Sequence, residues 1–213
     1  MNKQHFDIAL GDSTVNFEFN DLAVHADGSV VVSVGDTVVM AVCVLGGEKN
    51  YPDGGLALRV DYQERNYARG AILGGKFNKR EGRPTDEAIL TSRVIDRTIR
   101  PFFPKHFNRE VQVVCTVLSL GEYDPDVVAI NAACLALHIS NIPWDGPVGC
   151  VRLSQEIDSE QVLVNPTYTQ RATNNYCDAI VAGTGDAIAM IEIEGSEVSN
   201  EHLVAICERG MEQ

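Results

Sequence analysis

The chain has 213 residues, of which 45% are hydrophobic and 22% are charged. These values are ordinary for a globular protein and exclude a disordered, collagen-like or coiled-coil chain. The formal net charge of −13 argues against a nucleic-acid-binding protein when the chain is averaged as a whole, because such proteins are usually basic. Residues 1–7 have no apolar h-region, so they are not expected to form a signal peptide. Gly35-Asp36 interrupts the longest apolar stretch, so no membrane span is expected.

The first third of the chain predicts β-structure. Weak alternation over residues 6–19, with a turn at Gly11-Asp12, predicts extended chain on either side of the turn. The β-branched runs at 30–34 and 38–45 flank Gly35-Asp36-Thr37, which predicts a hairpin. Residues 56–62 predict a further strand.

The middle of the chain predicts two helices separated by one strand. Thr85 is a good N-cap, and Asp86 and Glu87 follow in the first turn, so a helix is expected from there to about Arg100, where Pro101 ends it. Residues 111–120 predict a strand. Residues 127–139 are almost wholly apolar and too many for a strand, which predicts a buried helix.

The last third predicts short strands and a final helix. The strands are expected at 148–153, 161–164, 179–182 and 187–194, and Ser199-Asn200 begins a helix that has no stop signal before Gln213. This order predicts an α+β layer architecture rather than a regular βαβ repeat. We expect residues 1–213 to form a single domain and to be an N-terminal fragment of a longer chain.

Positive charge is concentrated in one segment, the basic island of residues 65–109. It holds 11 of the 17 basic residues and only four acidic ones, a net charge of +7, whereas the remaining residues carry −20. Within it Arg93, Arg97 and Arg100 have i, i+4 and i+7 spacing and share one helix face. The apolar residues of the same helix are expected to point largely elsewhere, toward a core: Leu90, Val94, Ile95 and Ile99.

An arginine stripe of this kind is either an anion-binding face or a solvated, ion-paired surface. Ion pairing with arginines of the island is the default expectation for Asp61, Glu64 and Asp96. Arg100 is expected to have a free guanidinium head, because Pro101 places it at the end of the helix.

A glycine-rich basic segment, residues 70–84, lies beside this stripe. It is not a P-loop, because Phe77 stands where Ser or Thr would hold magnesium. Backbone amides, cationic side chains and one aromatic ring suit single-stranded nucleic acid, although a plain surface loop has the same composition. The sequence holds no complete catalytic constellation and no metal-ligand spacing. Asp124 and Asp126 are better explained by a turn, and the six cysteines by buried free thiols.

Three motifs carry a resemblance to a known family. They are Asp61-Tyr62-Gln63-Glu64-Arg65, Lys79-Arg80-Glu81-Gly82-Arg83-Pro84 and Ser92-Arg93-Val94-Ile95-Asp96-Arg97-Thr98-Ile99-Arg100-Pro101. Together with shorter matches at 35–37, 110–113, 125–126, 142–143, 146–147, 165–167 and 181–184, they resemble the first RNase PH-like domain of bacterial polynucleotide phosphorylase over nearly the whole chain.

The resemblance implies an α+β, RNase PH-like fold with mixed β-sheets and packed helices, including one buried central helix. It implies a cytoplasmic, homotrimeric, phosphorolytic 3′-to-5′ exoribonuclease that converts RNA and inorganic phosphate into nucleoside diphosphates, and the reverse. Magnesium or manganese would assist in the full-length enzyme, bound outside this fragment. The RNA-binding residues implied are Phe77, Lys79, Arg80, Arg83, Arg93, Arg97 and Arg100, with no catalytic residue and no metal ligand in this chain.

Two departures from the family pattern matter. Asn78 and Lys79 stand where the family commonly has a second aromatic and a first arginine, so the grip on RNA is expected to be weaker. Tyr123-Asp124-Pro125-Asp126 stands where the catalytic half of the enzyme has a Gly-Ser-Ser phosphate turn, and carboxylates there would repel phosphate. The isolated fragment is therefore expected to be inactive. The alternatives are a non-catalytic, exosome-type RNA-binding ring subunit and an active stand-alone RNase PH.

Overall fold

The computed structural model describes residues 4–11, 13–19, 22–49, 55–72, 82–156, 161–171 and 175–213. The strands are β1 (Gln4–Leu10), β2 (Ser13–Phe19), β3 (Gly28–Val34), β4 (Thr37–Glu48), β5 (Leu58–Gln63), β6 (Arg109–Ser119), β7 (Gly149–Glu156), β8 (Val162–Val164), β9 (Asn175–Gly183) and β10 (Ile188–Gly195). The helices are α1 (Asp86–Ile99), α2 (Pro125–His138), α3 (Tyr168–Arg171) and α4 (Asn200–Met211), with 3-10 turns at Asn66–Arg69 and Arg100–Phe102.

The first sheet has six strands in the order β1-β2-β3-β4-β6-β5. Its first five strands pair antiparallel, whereas β5 pairs parallel with β6 through the crossover that contains α1. The predicted hairpin is confirmed: Val34 pairs with Thr37 across Gly35-Asp36, and Gly35 has φ +54°, a conformation that favours glycine. The valines of β3 and β4 alternate between a buried and a half-exposed face, as β-strands of a half-buried sheet do.

The second sheet has four antiparallel strands in the order β10-β9-β7-β8. Its two faces separate cleanly by alternation along β7 and β9. Val151, Leu153 and Val181 pack toward α4, where Ile206 is buried, whereas Cys150 and Ile180 pack toward α2. Because alternation puts Arg152 and Asp178 on the α2 side as well, two charged side chains enter the interior from this sheet.

Helix α2 is the central element between the two sheets, and the buried helix predicted from residues 127–139 is confirmed. It is apolar all round and packs against β3, β4 and β6 on one side and β7 on the other. The amide of Asn131 is satisfied by β7, donating to the Cys150 carbonyl at 2.8 Å and accepting from the Cys150 amide at 2.9 Å. Gly28 lets β3 approach closely, since a Cβ there would lie 2.2 Å from the Ala136 carbonyl oxygen.

The layers are therefore the six-stranded sheet, then α1 and α2, then the four-stranded sheet, then α4. This confirms the expected α+β class, and the predicted α1 and α4 begin within one residue of the observed starts. The pattern did not predict α3 or the two 3-10 turns. The predicted buried thiols are confirmed for five of the six free cysteines, and Cys207 is only half-buried. Among the described residues, no helix is both long and apolar enough to cross a lipid bilayer.

Candidate nucleic-acid interface

Helix α1 presents the predicted arginine stripe to solvent. The helix starts because Thr85 Oγ1 accepts a hydrogen bond from the Ala88 amide at 3.1 Å, with Asp86 and Glu87 in the first turn. One face is buried against β5, α2 and β10, and it consists of Ala88, Thr91, Val94, Ile95, Thr98 and Ile99. The opposite face carries the arginines because the spacing of the buried positions leaves it toward water.

Arg93 and Arg97 are the most available cations of this stripe. Both are exposed. Arg97 lies 3.8 Å from Glu192 of β10, but both side chains are more than half exposed, and such a surface pair contributes about 0–1 kcal/mol. Arg93 makes no ion pair with any residue that the structure describes. These two guanidiniums can therefore exchange solvent or a weak partner for a phosphate at little cost.

Arg100 differs from the sequence expectation, which gave it a free head because of Pro101. Its guanidinium makes two 2.6 Å hydrogen bonds with the carboxylate of Asp96, one turn earlier, and reaches the carbonyls of Leu56 and Leu58 at 3.4 Å. The hydrogen bonds to Asp96 raise the pKa of the Arg100 guanidinium. The expectation of a free head is wrong because the i, i+4 spacing of Asp96 and Arg100 closes an ion pair.

The remaining predicted RNA-binding residues lie just before α1. Arg83 is exposed, in the segment that leads into the helix. Phe77, Lys79 and Arg80 lie outside the described residues, so the predicted role of that loop stays a prediction. The expected ion pairing of acids with the basic island is confirmed for Asp96 and for Glu64, which pairs with Arg69. Asp61 instead pairs with Arg59, outside the island.

Sequence reasoning missed three exposed apolar side chains within the basic island. Leu90, expected in the core, is 56% exposed, and Ile89 is 46% exposed, one turn before Arg93. Tyr67, in the 3-10 turn that ends at Arg69, is 51% exposed. Base faces stack on exposed apolar and aromatic groups, so these side chains extend the interface chemically. The sequence feature that could have indicated this surface was Tyr67, an aromatic residue inside the basic island.

A second cluster of charges lies where β7, α3 and the start of α2 meet. Asp124 caps α2 by accepting from the Asp126 amide at 3.0 Å. Asp124 Oδ2 also lies 2.8 Å from an Arg152 Nη and 3.1 Å from an Arg171 Nη, and the same two guanidiniums reach Asp178 at 2.6 and 3.4 Å. All four side chains are at most 15% exposed. The expected turn at 124–126 is thus a helix cap fixed by a buried ion-pair network.

Asp126 lies beside this network, and its carboxyl group keeps its proton to a higher pH than an ordinary aspartate does. Burial, together with the neighbouring Asp124 carboxylate, raises the pKa of Asp126 to about 7. The Thr91 hydroxyl donates to Asp126 Oδ1 at 3.1 Å and joins α1 to α2. Burial and the nearby carboxylates of Asp126 and Glu64 also raise the pKa of Tyr62. The burial of Asp126 and its hydrogen bond from Thr91 fit a structural carboxyl group rather than an open ligand site.

These carboxylates do not fit a magnesium site. Asp124 and Asp178 are each committed to two guanidiniums, and Asp126 is hydrogen-bonded to Thr91. Magnesium prefers several free oxygen ligands in octahedral geometry. Within the described ranges, no group of three or more His, Cys, Asp or Glu side chains could hold a metal ion.

An open apolar groove of about 840 Å³ lies on another side of the molecule. Its walls come from β1 and β2, from α2, from β7 and from the end of α4. Phe6 and Ile8 on the edge strand β1 are 54% and 53% exposed. No motif in the sequence indicated this groove, because its walls are distant in sequence.

The layers described above define an RNase PH-like α+β fold, and solved structures share it. The chain superposes on a structure of the Archaeoglobus fulgidus exosome with RNA bound to the active site with a TM-score of 0.74 at 16% identity, covering 96% of this chain and 85% of the other. Rice (Oryza sativa) Rrp46 gives 0.71 at 17% identity, covering 99% and 88%. An archaeal exosome core gives 0.69 at 16%, covering 96% and 83%.

The sequence identifies the family. Residues 13–143, more than half of the chain, match the model of the RNase PH family, described as the 3′ exoribonuclease family, domain 1. The chain belongs to the RNase PH family of 3′ exoribonucleases.

Proposed function

We propose that this chain is the first RNase PH-like domain of a bacterial polynucleotide phosphorylase, a polyribonucleotide nucleotidyltransferase. Family membership supports the class, and the three motifs in and around the basic island support the narrower assignment. The whole protein would shorten RNA from its 3′ end with inorganic phosphate as the attacking group, releasing nucleoside diphosphates. Residues 1–213 would form one domain of that longer chain.

The role of this domain in the proposal is to hold RNA rather than to cleave it. The observation that carries this role is the exposed pair Arg93 and Arg97 on one face of α1, inside a segment of charge +7. Guanidiniums at one-turn spacing can each contact a backbone phosphate, and Tyr67, Ile89 and Leu90 offer surfaces for bases. Arg83, Phe77, Lys79 and Arg80 would extend the same path toward the N-terminal side of α1.

The proposal places the chemistry elsewhere in the longer protein. Asp124, before α2, is engaged by Arg152 and Arg171, so inorganic phosphate would meet an occupied site there. Magnesium or manganese would be bound outside this chain and would neutralise charge on the transferring phosphoryl group. The enzyme would act in the cytoplasm. Purified residues 1–213 should release no ADP from poly(A) with phosphate and magnesium, whereas the whole enzyme should.

Assembly into a homotrimeric ring is part of the proposal. The exposed side chains of β1 and the apolar groove beside them are surfaces that further protein could cover. The mass of the longer enzyme in solution tests this: three copies are expected, and a monomeric enzyme would contradict it.

A non-catalytic RNA-binding ring subunit is the second candidate. The observation that favours it is that structures of exosome cores share the fold over nearly the whole chain. An active stand-alone RNase PH is less well supported, because the ion-paired Asp124 blocks the region before α2. Robust phosphorolysis by residues 1–213 alone would favour the stand-alone enzyme. RNA binding by a longer chain that never shows phosphorolysis would favour the ring subunit.

RNA affinity of charge-matched variants tests the proposed interface. Fluorescence anisotropy with labelled single-stranded RNA would compare Lys79→Ala/Arg80→Ala with Arg59→Ala/Arg209→Ala, which removes two exposed cations outside the basic island. The first variant should bind more weakly and with a shallower salt dependence, because fewer counterions are released. If both variants weakened RNA binding equally, the loss would follow from net charge alone, and the proposed role of the basic island would be wrong.

A further inference from the structure

Strand β5 has a free edge in the part of the chain that the structure describes. It lies last in the order β1-β2-β3-β4-β6-β5, and its strand partner there is β6. The carbonyl of Ala57 faces β6, because it accepts a hydrogen bond from the Val111 amide at 2.8 Å. Backbone groups alternate in direction along an extended chain, so the carbonyls of Leu56 and Leu58 face the other way, toward the free edge.

The guanidinium of Arg100 lies on this edge. Its Nη1 atom reaches the Leu56 carbonyl oxygen and its Nη2 atom the Leu58 carbonyl oxygen, both at 3.4 Å. The same guanidinium makes two 2.6 Å hydrogen bonds with Asp96, which holds it in place from within α1. A guanidinium has five N–H donors in a fixed planar fork, so one side chain can serve the carboxylate and both carbonyls.

The position of Arg100 matters because a sheet edge with uncovered carbonyls and amides is a template for another strand. A strand that paired with β5 would bond to the Leu58 carbonyl and would have to displace the guanidinium from it. Folded proteins protect such edges with charged side chains or with a covering element. Here the end of α1 supplies both, since it brings a cation that is already anchored by Asp96.

The sequence of β5 is complementary to itself. Arg59 and Asp61 lie on either side of Val60 and share one face of the strand. If two β5 strands paired antiparallel about a two-fold axis at Val60, Arg59 of each copy would lie opposite Asp61 of the other. Opposite charges directly across two strands are favourable, and a two-fold contact uses the same surface on both copies. A second copy of this chain is therefore the strand that fits the open edge.

We propose that Arg100, held by Asp96, is a gatekeeper that closes the free edge of β5 against strand addition by a second copy of this chain. The inference stands on the contacts of Arg100 and on the charge pattern of β5. It does not rest on RNA binding, so its test measures the mass of the chain without RNA.

The test is Arg100→Ala in the full chain, compared with the wild type by sedimentation velocity at equal protein concentration. The variant should form pairs of the wild-type particle, because the β5 edge is open. The exchange of the Val60 amide hydrogen should slow at the same time, since that amide points to the edge. Adding Arg59→Glu should abolish the pairing, because like charges would then lie opposite each other.

Two matched controls should keep the wild-type mass. Arg209→Ala removes one cation from a half-exposed ion pair within another helix. Thr85→Ala removes the cap of α1 and weakens that helix, but it leaves Arg100 in place. Far-UV circular dichroism checks that each variant is folded. If Arg100→Ala is not folded, Arg100→Met replaces it, since methionine keeps an unbranched apolar stem and removes the donors.

Every other result overturns the proposal. A folded Arg100→Ala or Arg100→Met variant that keeps the wild-type mass would show that this side chain does not guard the edge. Association of either control would show that lost charge or a weakened helix is enough. Association that persists with Arg59→Glu, or that leaves exchange of the Val60 amide unchanged, would place the contact away from β5.

Discussion

Arginine side chains have opposite roles in two regions of the molecule: the exposed stripe on α1 and the buried ion-pair network before α2. Arg93 and Arg97 are exposed, and Arg97 lies 3.8 Å from Glu192, its one acidic partner within the described part of the chain. Arg152 and Arg171 are at most 15% exposed and share two carboxylates. The sequence alone does not distinguish these four arginines; only their burial and pairing separate the cations that are available to a ligand from those that the fold uses. Arg100 lies between the two cases, since it is 42% exposed yet paired with Asp96.

The largest difference between the two regions should appear in stability. Arg152→Ala should lower the free energy of unfolding by about 3–5 kcal/mol, because it leaves Asp124 and Asp178 buried with one guanidinium fewer. Arg93→Ala is the matched control and should change stability by less than about 0.5 kcal/mol, as at ordinary surface sites. Urea unfolding of the two variants measures both. If both variants lost similar free energies of unfolding, the contrast between the exposed stripe on α1 and the buried network would be wrong.

The pH dependence of stability should isolate the carboxyl group next to the network. The folded pKa of Asp126 is about 7 against an ordinary 3.8, so between these values the folded chain holds a proton that the unfolded chain has released. Stability contributed by this group is therefore fully present below the ordinary pKa and is lost as the pH rises to about 7.

Asp126→Asn should remove that loss while keeping an acceptor for the Thr91 hydroxyl. As the pH rises from about 5 to about 8, the variant should gain roughly 3 kcal/mol of stability relative to the wild type, since the pKa lies about two units above pH 5 and one unit corresponds to about 1.4 kcal/mol. Urea unfolding at both pH values measures this. A constant difference between variant and wild type at the two pH values would contradict a raised pKa.

For RNA affinity we expect the opposite order: substitutions on α1 should have a larger effect than substitutions in the buried network. Arg93→Ala/Arg97→Ala should weaken binding of single-stranded RNA roughly tenfold at low salt and reduce the salt slope by about two, one for each phosphate contact. Its unfolding midpoint should stay near that of the wild type. Arg59→Ala/Arg209→Ala again serves as the charge-matched control, and an equal loss there would remove the special role of α1.

Arg100→Ala should give a smaller loss of stability than Arg152→Ala and a smaller loss of RNA affinity than Arg93→Ala, because Arg100 is the intermediate case. Loss of a half-exposed ion pair should cost about 0.5–1 kcal/mol, more than Arg93→Ala and far less than Arg152→Ala. Its RNA affinity should fall less than that of Arg93→Ala, because its guanidinium is already held by Asp96. Urea unfolding measures the change in stability, and fluorescence anisotropy with labelled RNA on the same sample measures the change in RNA affinity. A larger RNA effect than for Arg93 would mean that RNA displaces Asp96.

Patterns that repeat locally allowed much of the fold to be predicted. The β3–β4 hairpin follows from two valine-rich runs around Gly35-Asp36, and α1 follows from its Thr85 cap and Pro101. Helix α2 follows from an apolar run too long for a strand. The four-residue α3 and the 3-10 turns have no such period, and their positions depend on tertiary hydrogen bonds such as the one from the Tyr168 amide to the Glu122 carbonyl at 2.8 Å.

The site was less predictable because exposure and pairing are not local properties. The stripe and the buried positions Val94, Ile95 and Ile99 were predicted from spacing, but Leu90 was wrongly assigned to the core, since among the described residues it is 56% exposed. The Asp96–Arg100 pair was visible as i, i+4 spacing and was underestimated beside Pro101. The network of Asp124, Arg152, Arg171 and Asp178 joins four separate segments, so no window of sequence contains it.

The position of β6 has a consequence for synthesis of the chain on the ribosome. Strand β6 lies between β4 and β5 in the first sheet, yet β4 ends at Glu48 and β6 begins at Arg109, about 60 residues later. At roughly 5–20 residues per second, β4 waits several seconds with one edge unpaired. An unpaired apolar strand edge is a template for aggregation. The nascent chain therefore exposes this strand edge while the basic island is being translated.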